Sequence, residues 1–182
     1  ADNPGGGILI GDTQEFSKIS NTKFSFLSGY NFKKNYEHII LGSINFHQTN
    51  VEVNNVTFAN ILSEDAINIF RSKFRIRDVK YNNIFSDAID IDFSEGEIKN
   101  VNFVDINNDA IDFSGSIVTV NNAYFENIND KIVSAGEESI IHIDQIKGKN
   151  SFAGVISKDG SKVYTQNIDF KDVKVPFAAY QK

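Results

Sequence analysis

The chain has no cysteine among its 182 residues. Disulfides and thiolate metal sites are therefore excluded, and the redox compartment is left open. It has no apolar run of the ~18 residues that suggest a membrane-spanning helix, so no such span is expected. It has no basic excess. The formal net charge is −6, which argues against a nucleic-acid partner, where a basic footprint is expected. Its three histidines, His38, His47 and His142, fall at no metal-ligand spacing. The opening Ala1-Asp2-Asn3-Pro4-Gly5-Gly6-Gly7 lacks the features of a signal peptide, and residues 1–7 read as flexible. No window long enough for a helix carries a clean helical period.

What the chain does contain is one phrase spoken four times. Val53 to Ile61, Ile76 to Ile84, Ile98 to Ile106 and Val120 to Ile128 share a pattern, at steps of 23, 22 and 22 residues. A fixed period of this size marks a stacked repeat. Within each unit apolar residues alternate, as in Val56 and Phe58, and then break before Ile61. Period two, with Ile, Val, Phe and Tyr at the apolar places, is the signal of strands. A unit this short cannot form a strand–helix–strand crossover. It can form one coil of a parallel β-helix, with the next coil about 4.8 Å above it. The length suits one domain over residues 1–182, and a hydrophobic content of 41% supplies its core.

Two polar columns run through the repeats. The first is Asn21, Asn55, Asp78, Asn100, Asn122, Gln145 and Asn167. The second, five residues on, is Asn60, Asn83, Asp105, Asn127, Asn150 and Asp172. Asn and Asp tolerate the left-handed backbone of a sharp turn. Stacked amides also hydrogen-bond from coil to coil. The expectation is an all-β, right-handed parallel β-helix of about seven rungs of 22–23 residues. Over residues 19–182 the period, the asparagine columns and a recurring Asp-Ala-Ile-Asp phrase resemble the right-handed parallel β-helix, or pectin-lyase-like, superfamily. That scaffold hosts many chemistries, so the resemblance speaks to fold before function.

Departures from the repeat mark places of interest. Phe24 and Phe58 lie 34 residues apart, so this coil carries an insertion, roughly Ser28 to His38. It holds Tyr30, Phe32 and Tyr36 with Lys33 and Lys34. Such a loop either stacks on sugar rings and grips a partner, or folds over the rod to cover its core. Arg71, Lys73, Arg75 and Arg77 form a basic strand face. Glu52, Glu95 and Glu97 fall opposite them on neighbouring coils, so a Glu52–Arg75–Glu97 charge ladder is expected rather than an anion site. Gly148 stands where the column aromatic belongs, so the core should be disturbed there. Phe177 to Lys182 opens a further coil without a polar cap. An open last rung is expected to self-associate or to meet an adjoining domain.

The chemistry-bearing residues cluster in Asp87-Ala88-Ile89-Asp90-Ile91-Asp92 and Asp109-Ala110-Ile111-Asp112. Alternation sends Ile89 and Ile91 inward and Asp90 and Asp92 to solvent. Asp112 lies one rung above Asp90, and Asn68 one rung below. A second column of Asp65, Asp87, Asp109 and Asp130 should cap a corner. Asp90, Asp92 and Asp112 form the densest carboxylate group, a candidate calcium site in which like charges push one pKa up. The Asp-Ala-Ile-Asp phrases resemble the acidic turns of polygalacturonases. That resemblance implies catalytic carboxylates near Asp87, Asp90, Asp109 and Asp112, and a histidine one turn later. Asp130-Lys131-Ile132 stands there instead, and of a later Arg-Ile-Lys phrase only Lys158 remains. A lyase would need a basic group, for which Lys131 is nearest. The candidate catalytic residues are thus Asp90, Asp112 and Lys131. Two functions are compatible with these features. One is a secreted or cell-surface carbohydrate module that binds or processes an acidic polysaccharide. The other is a non-catalytic structural rod that self-associates or belongs to a larger surface fibre.

Overall fold

A computed structural model describes residues 4–29 and 42–181. Tyr30, Phe32 and Tyr36, with most of the expected insertion, lie outside the described residues. Thirteen strands follow one another: β1 (Ile8–Gly11), β2 (Ser17–Ser25), β3 (Gly42–His47), β4 (Val51–Ile61), β5 (Asp65–Phe70), β6 (Lys73–Ile84), β7 (Asp87–Asp92), β8 (Glu95–Ile106), β9 (Ile111–Ser114), β10 (Ile117–Ile128), β11 (Lys131–Gly136), β12 (Ile140–Lys158) and β13 (Lys162–Tyr180). Every pairing is parallel. The long strands stack in the order β2, β4, β6, β8, β10, β12, β13, and the short ones in the order β1, β3, β5, β7, β9, β11 and then β12. The chain is a parallel β-solenoid, and no helix occurs among the described residues. None is therefore long and apolar enough to cross a membrane.

Both asparagine columns sit at corners. Every member of each has a left-handed backbone, from Asn21 (φ 52°) through Asn100 (φ 55°) to Asp172 (φ 54°). Their side chains form coil-to-coil ladders. Asn55 donates to Asn21 (2.8 Å), Asn100 to Asp78 (3.0 Å) and Asn122 to Asn100 (2.7 Å). On the second corner Asn83 donates to Asn60 and Asn127 to Asp105. Gln145 breaks the first ladder, since Asn167 donates past it to Asp144. A third corner carries no such signature. Its left-handed residues are Asp12, Gln48, Arg71, Phe93, Gly115, Glu137 and Asp159, a different residue type at almost every coil.

The third corner is held from inside by serines. The Thr49 N–H donates to Ser72 Oγ (3.1 Å), Ser72 N–H to Ser94 Oγ (3.0 Å), Ser94 N–H to Ser116 Oγ (3.0 Å) and Ser116 N–H to Ser139 Oγ (3.1 Å). Each hydroxyl in turn donates to a carbonyl just upstream in its own coil, as Ser94 does to Asp92 (2.7 Å). This buried column satisfies backbone groups where the chain turns and strand pairing lapses.

The core is columnar. Phe24, Phe58, Tyr81, Phe103 and Phe125 stack with centroid spacings of 5.5, 5.0, 4.9 and 4.8 Å. At Gly148 the column breaks, as expected. Ile132 and Phe170 close over it, so that a Cβ on Gly148 would lie 2.5 Å from Ile132 Cδ1 and 2.9 Å from Phe170 Cδ1. The outer charge ladder forms with one change of partner. Arg75 and Arg77 both reach Glu97, Lys73 pairs with Glu95, and Glu52 pairs with Lys18 (3.6 Å) rather than Arg75. Near the start, Gly5 is tied to the rod, accepting the Ser28 N–H (2.8 Å) and donating to Phe26 (2.9 Å).

Candidate functional site

The face formed by β3, β5, β7, β9 and β11 gathers the carboxylates. Ile67, Ile69, Ile89, Ile91, Ile111 and Phe113 point inward and are fully buried. The outward positions between them form two columns. One runs Asn45, Asn68, Asp90, Asp112, Ser134 on successive coils. The other runs His47, Phe70, Asp92, Ser114. Alternation thus places Asp90, Asp92 and Asp112 as the repeat demands. They do not stand in open solvent, however. All three are half-buried, because side chains stacked one rung apart shield one another.

A third column lines one margin of this face. Asp87 Oδ1 accepts the Asp109 N–H (2.9 Å), and Asp109 Oδ1 accepts the Lys131 N–H (3.0 Å). These carboxylates cap the corner, as expected. The member above Asp109 is Lys131, not Asp130, which lies one position earlier in the chain. The Lys131 ammonium pairs with Asp109 (3.1 Å) and with Asp130. Burial opposes its charge, but these carboxylates outweigh burial and hold its pKa above the ordinary value. Lys131 is thus held between two carboxylates that favour its charged form.

Burial dominates the electrostatics. It pushes Asp90 up to about 8, with the carboxylates of Asp92 and Asp112 adding and the Asn68 amide, which donates to Asp90 at 2.9 Å, opposing. Burial likewise raises Asp109 to about 7, and Asp87 and Asp92 to about 6. Asp65 is raised well above the usual carboxylate range, first by burial and then by Asp90 and Asp87. Like-charge repulsion was the expected cause of a raised pKa here, but it is secondary. Asp65 Oδ2 and Ser134 Oγ are buried without a hydrogen-bond partner. Among the described residues no three His, Asp or Glu side chains are grouped so as to hold a metal ion. Asp90, Asp92 and Asp112 share a face without converging on one point.

Aromatic side chains flank the carboxylates, and only the register could have found them. His47 stacks on Phe70 (4.9 Å), and Phe70 meets Phe93 edge-on (6.0 Å). The Arg71 guanidinium lies over both rings, at 4.9 and 6.0 Å. Phe93 is 51% exposed although its backbone is left-handed at φ 48°. A bulky residue there costs roughly 1–2 kcal/mol relative to glycine. Gly115 holds the same corner one coil on, and its missing Cβ leaves room for the Phe93 ring, which a Cβ would meet at 2.6 Å. Extending the Asp92 column down one period reaches Phe70. Nothing in the sequence singles out Phe93 or the lone hydroxyl of Ser134.

A groove of about 710 Å³ runs along another face, beside the first asparagine ladder, with Lys80, Asn102, Tyr124 and Lys147 along it. No protein-family model matches the chain, and no curated protein matches it in sequence.

Proposed function

We propose that this solenoid is a glycan-binding module of the pectin-lyase-like type, acting at the cell exterior and recognising an acidic polysaccharide across the β5–β7–β9 face. The observation that carries the reading is Phe93, an aromatic ring held half-exposed on a strained corner beside a row of half-buried carboxyls. Strain of this kind points to function when it is kept where glycine would relieve it. A sugar ring has an apolar C–H face and an edge of hydroxyls. Phe93, beside Phe70, offers a shelf for the first, while Asp90 and Asp92 accept and donate along the second. With its carboxyl raised to about 8, Asp90 is largely protonated at neutral pH and donates to a uronate oxygen where an ionised group would repel it.

The reading is of binding rather than turnover. Lys131 is held by Asp109 and Asp130, and no histidine stands one turn after the acidic turns, where Asp130-Lys131-Ile132 lies instead. Asp90 and Asp112 sit on adjacent rungs about 4.8 Å apart along the backbone, short of the ~6.5–9.5 Å that inverting hydrolysis requires.

Calorimetric titration with oligouronates at about pH 5 and about pH 9 tests the proposal, since the raised carboxyls change charge between these values. Binding should be tighter at the lower pH and should weaken in Phe93→Asn, while Asp90→Asn/Asp112→Asn, whose amides stay neutral, should bind at about pH 9 nearly as well as at about pH 5. Absence of binding at both pH values would leave a structural rod as the better account. That second reading draws on β13, which pairs only with β12 among the described residues.

A further inference from the structure

The groove beside the first asparagine ladder lies on a different face from the carboxyls and is built differently. Its outward column runs Thr57, Lys80, Asn102, Tyr124, Lys147 and Asp169 on successive coils. Lys80 and Lys147 are three coils apart, about 14 Å at a 4.8 Å rise per coil. Lys18, Lys73, Lys131 and Lys149 are each paired with a carboxylate. Lys80 and Lys147 have no such partner among the described residues. Between them Asn102 Oδ1 is buried with no hydrogen-bond partner. Tyr124 donates its hydroxyl to Glu126 (2.7 Å), and Glu126 is held by Lys149 (3.0 Å), so the ring is fixed in place. The edge of the groove is the exposed amide ladder. An amide that spends one donor or acceptor on each ladder neighbour retains another for a ligand. Asp78 puts one carboxylate on this edge, engaged by Asn100.

We infer that this groove is a second binding site, for an extended anionic polysaccharide strand lying along the rod axis. Lys80 and Lys147 take acid groups of the strand, and Tyr124 stacks on a sugar ring between them. The repeat of the protein and the repeat of the polymer run in the same direction, so coil-spaced donors meet residue-spaced acceptors. Two cations with one ring between them suit a linear glycan that presents acid groups about 14 Å apart to them. Nucleic acid would ask for a denser basic stripe. The acid groups are uronate carboxylates or sulfate esters, which the same ammonium groups accept. The inference shares only its ligand class with the reading of the carboxyl face, and the two can fail separately.

Titration at about pH 9, where the carboxyl face is ionised and repels anions, isolates the groove. An oligouronate and a sulfated oligosaccharide are compared on the wild type, Lys80→Ala/Lys147→Ala and Phe93→Asn. Both lysines are exposed, so their removal should leave the melting temperature unchanged. The wild type should bind at least one of the two glycans, more weakly as salt rises. Loss of the lysines should cost roughly tenfold or more, as for a charge-assisted hydrogen bond, while Phe93→Asn should bind as the wild type does. The glycan that binds identifies the acid group. Unchanged binding by the lysine variant, or no binding of either glycan to the wild type, would overturn the inference. Neither result would touch binding at low pH that depends on Phe93.

Discussion

Asn100 and Ser94 occupy equivalent ladders on opposite sides of the coil wall, and their substitutions should behave differently. Asn100 is exposed, so its amide bond contributes little. Its left-handed backbone is what the position requires. Asn100→Leu should cost on the order of 1–2 kcal/mol and Asn100→Gly far less. Ser94→Ala removes the acceptor of a buried N–H on Ser72 and should cost about 1–3 kcal/mol. Thermal denaturation of the three variants checks this ranking, and equal losses for Leu and Gly at position 100 would contradict it. The asparagine ladders were legible because left-handed corners select a narrow set of residues. The serines repeat with the same period, yet serine suits so many settings that its recurrence carried no message without the fold. At Asp90 the sign of the pH dependence follows from burial. The carboxyl is raised when folded, so the native state binds the extra proton. The stability it contributes is full below its unfolded value, about 3.9, and is lost as pH climbs through about 8. The melting temperature should therefore fall between about pH 5 and pH 8.5, and Asp90→Asn should flatten that fall.

At the level of strands and corners, apolar alternation specifies which side chains of β5, β7 and β9 face out, and this much the sequence carries. Phe70, Arg71 and Phe93 come together at the third corner, where no residue type repeats, so that shelf could not be read in advance. Whether the carboxylates would be solvated also depended on neighbours across three coils rather than on any one strand. Phe93→Asn tests the shelf directly. It should raise the melting temperature, because asparagine accepts a left-handed backbone, while it weakens glycan binding at low pH. Such a trade is common where a strained residue serves a site. The Gly148 seam makes the opposite case. Gly148→Ala adds a methyl group where Ile132 and Phe170 already meet, and should destabilise by roughly 1–3 kcal/mol. A neutral result in chemical denaturation would mean that the two side chains move aside freely.

For the described residues taken as a whole, the side of β13 away from β12 is the feature to test. Among the described residues this 19-residue strand pairs only with β12, and Val175, Phe177 and Tyr180 are exposed on its coil. Long unprotected edges recruit other strands. Sedimentation at rising concentration should show end-to-end species, and Val175→Lys/Phe177→Lys should abolish them. A wild type that stays monomeric would remove the structural-rod reading.

The uniform register has a consequence in time as well as in space. Partners such as Ile76 and Ile98 are separated by one coil, and Ile98 and Val120 by one more. Closing each coil therefore costs nearly the same entropy, and the cost grows only slowly where Ile19 must find Val53 across a longer stretch. A chain of this kind assembles as a zipper, each closed coil serving as the template for the next. The stacked rings from Phe58 to Phe125 mark where the zipper should start, and the break at Gly148 marks where it should pause. In hydrogen exchange, amides of β6, β8 and β10 should be the last to open. Those beyond Gly148 should open as an earlier, separate unit.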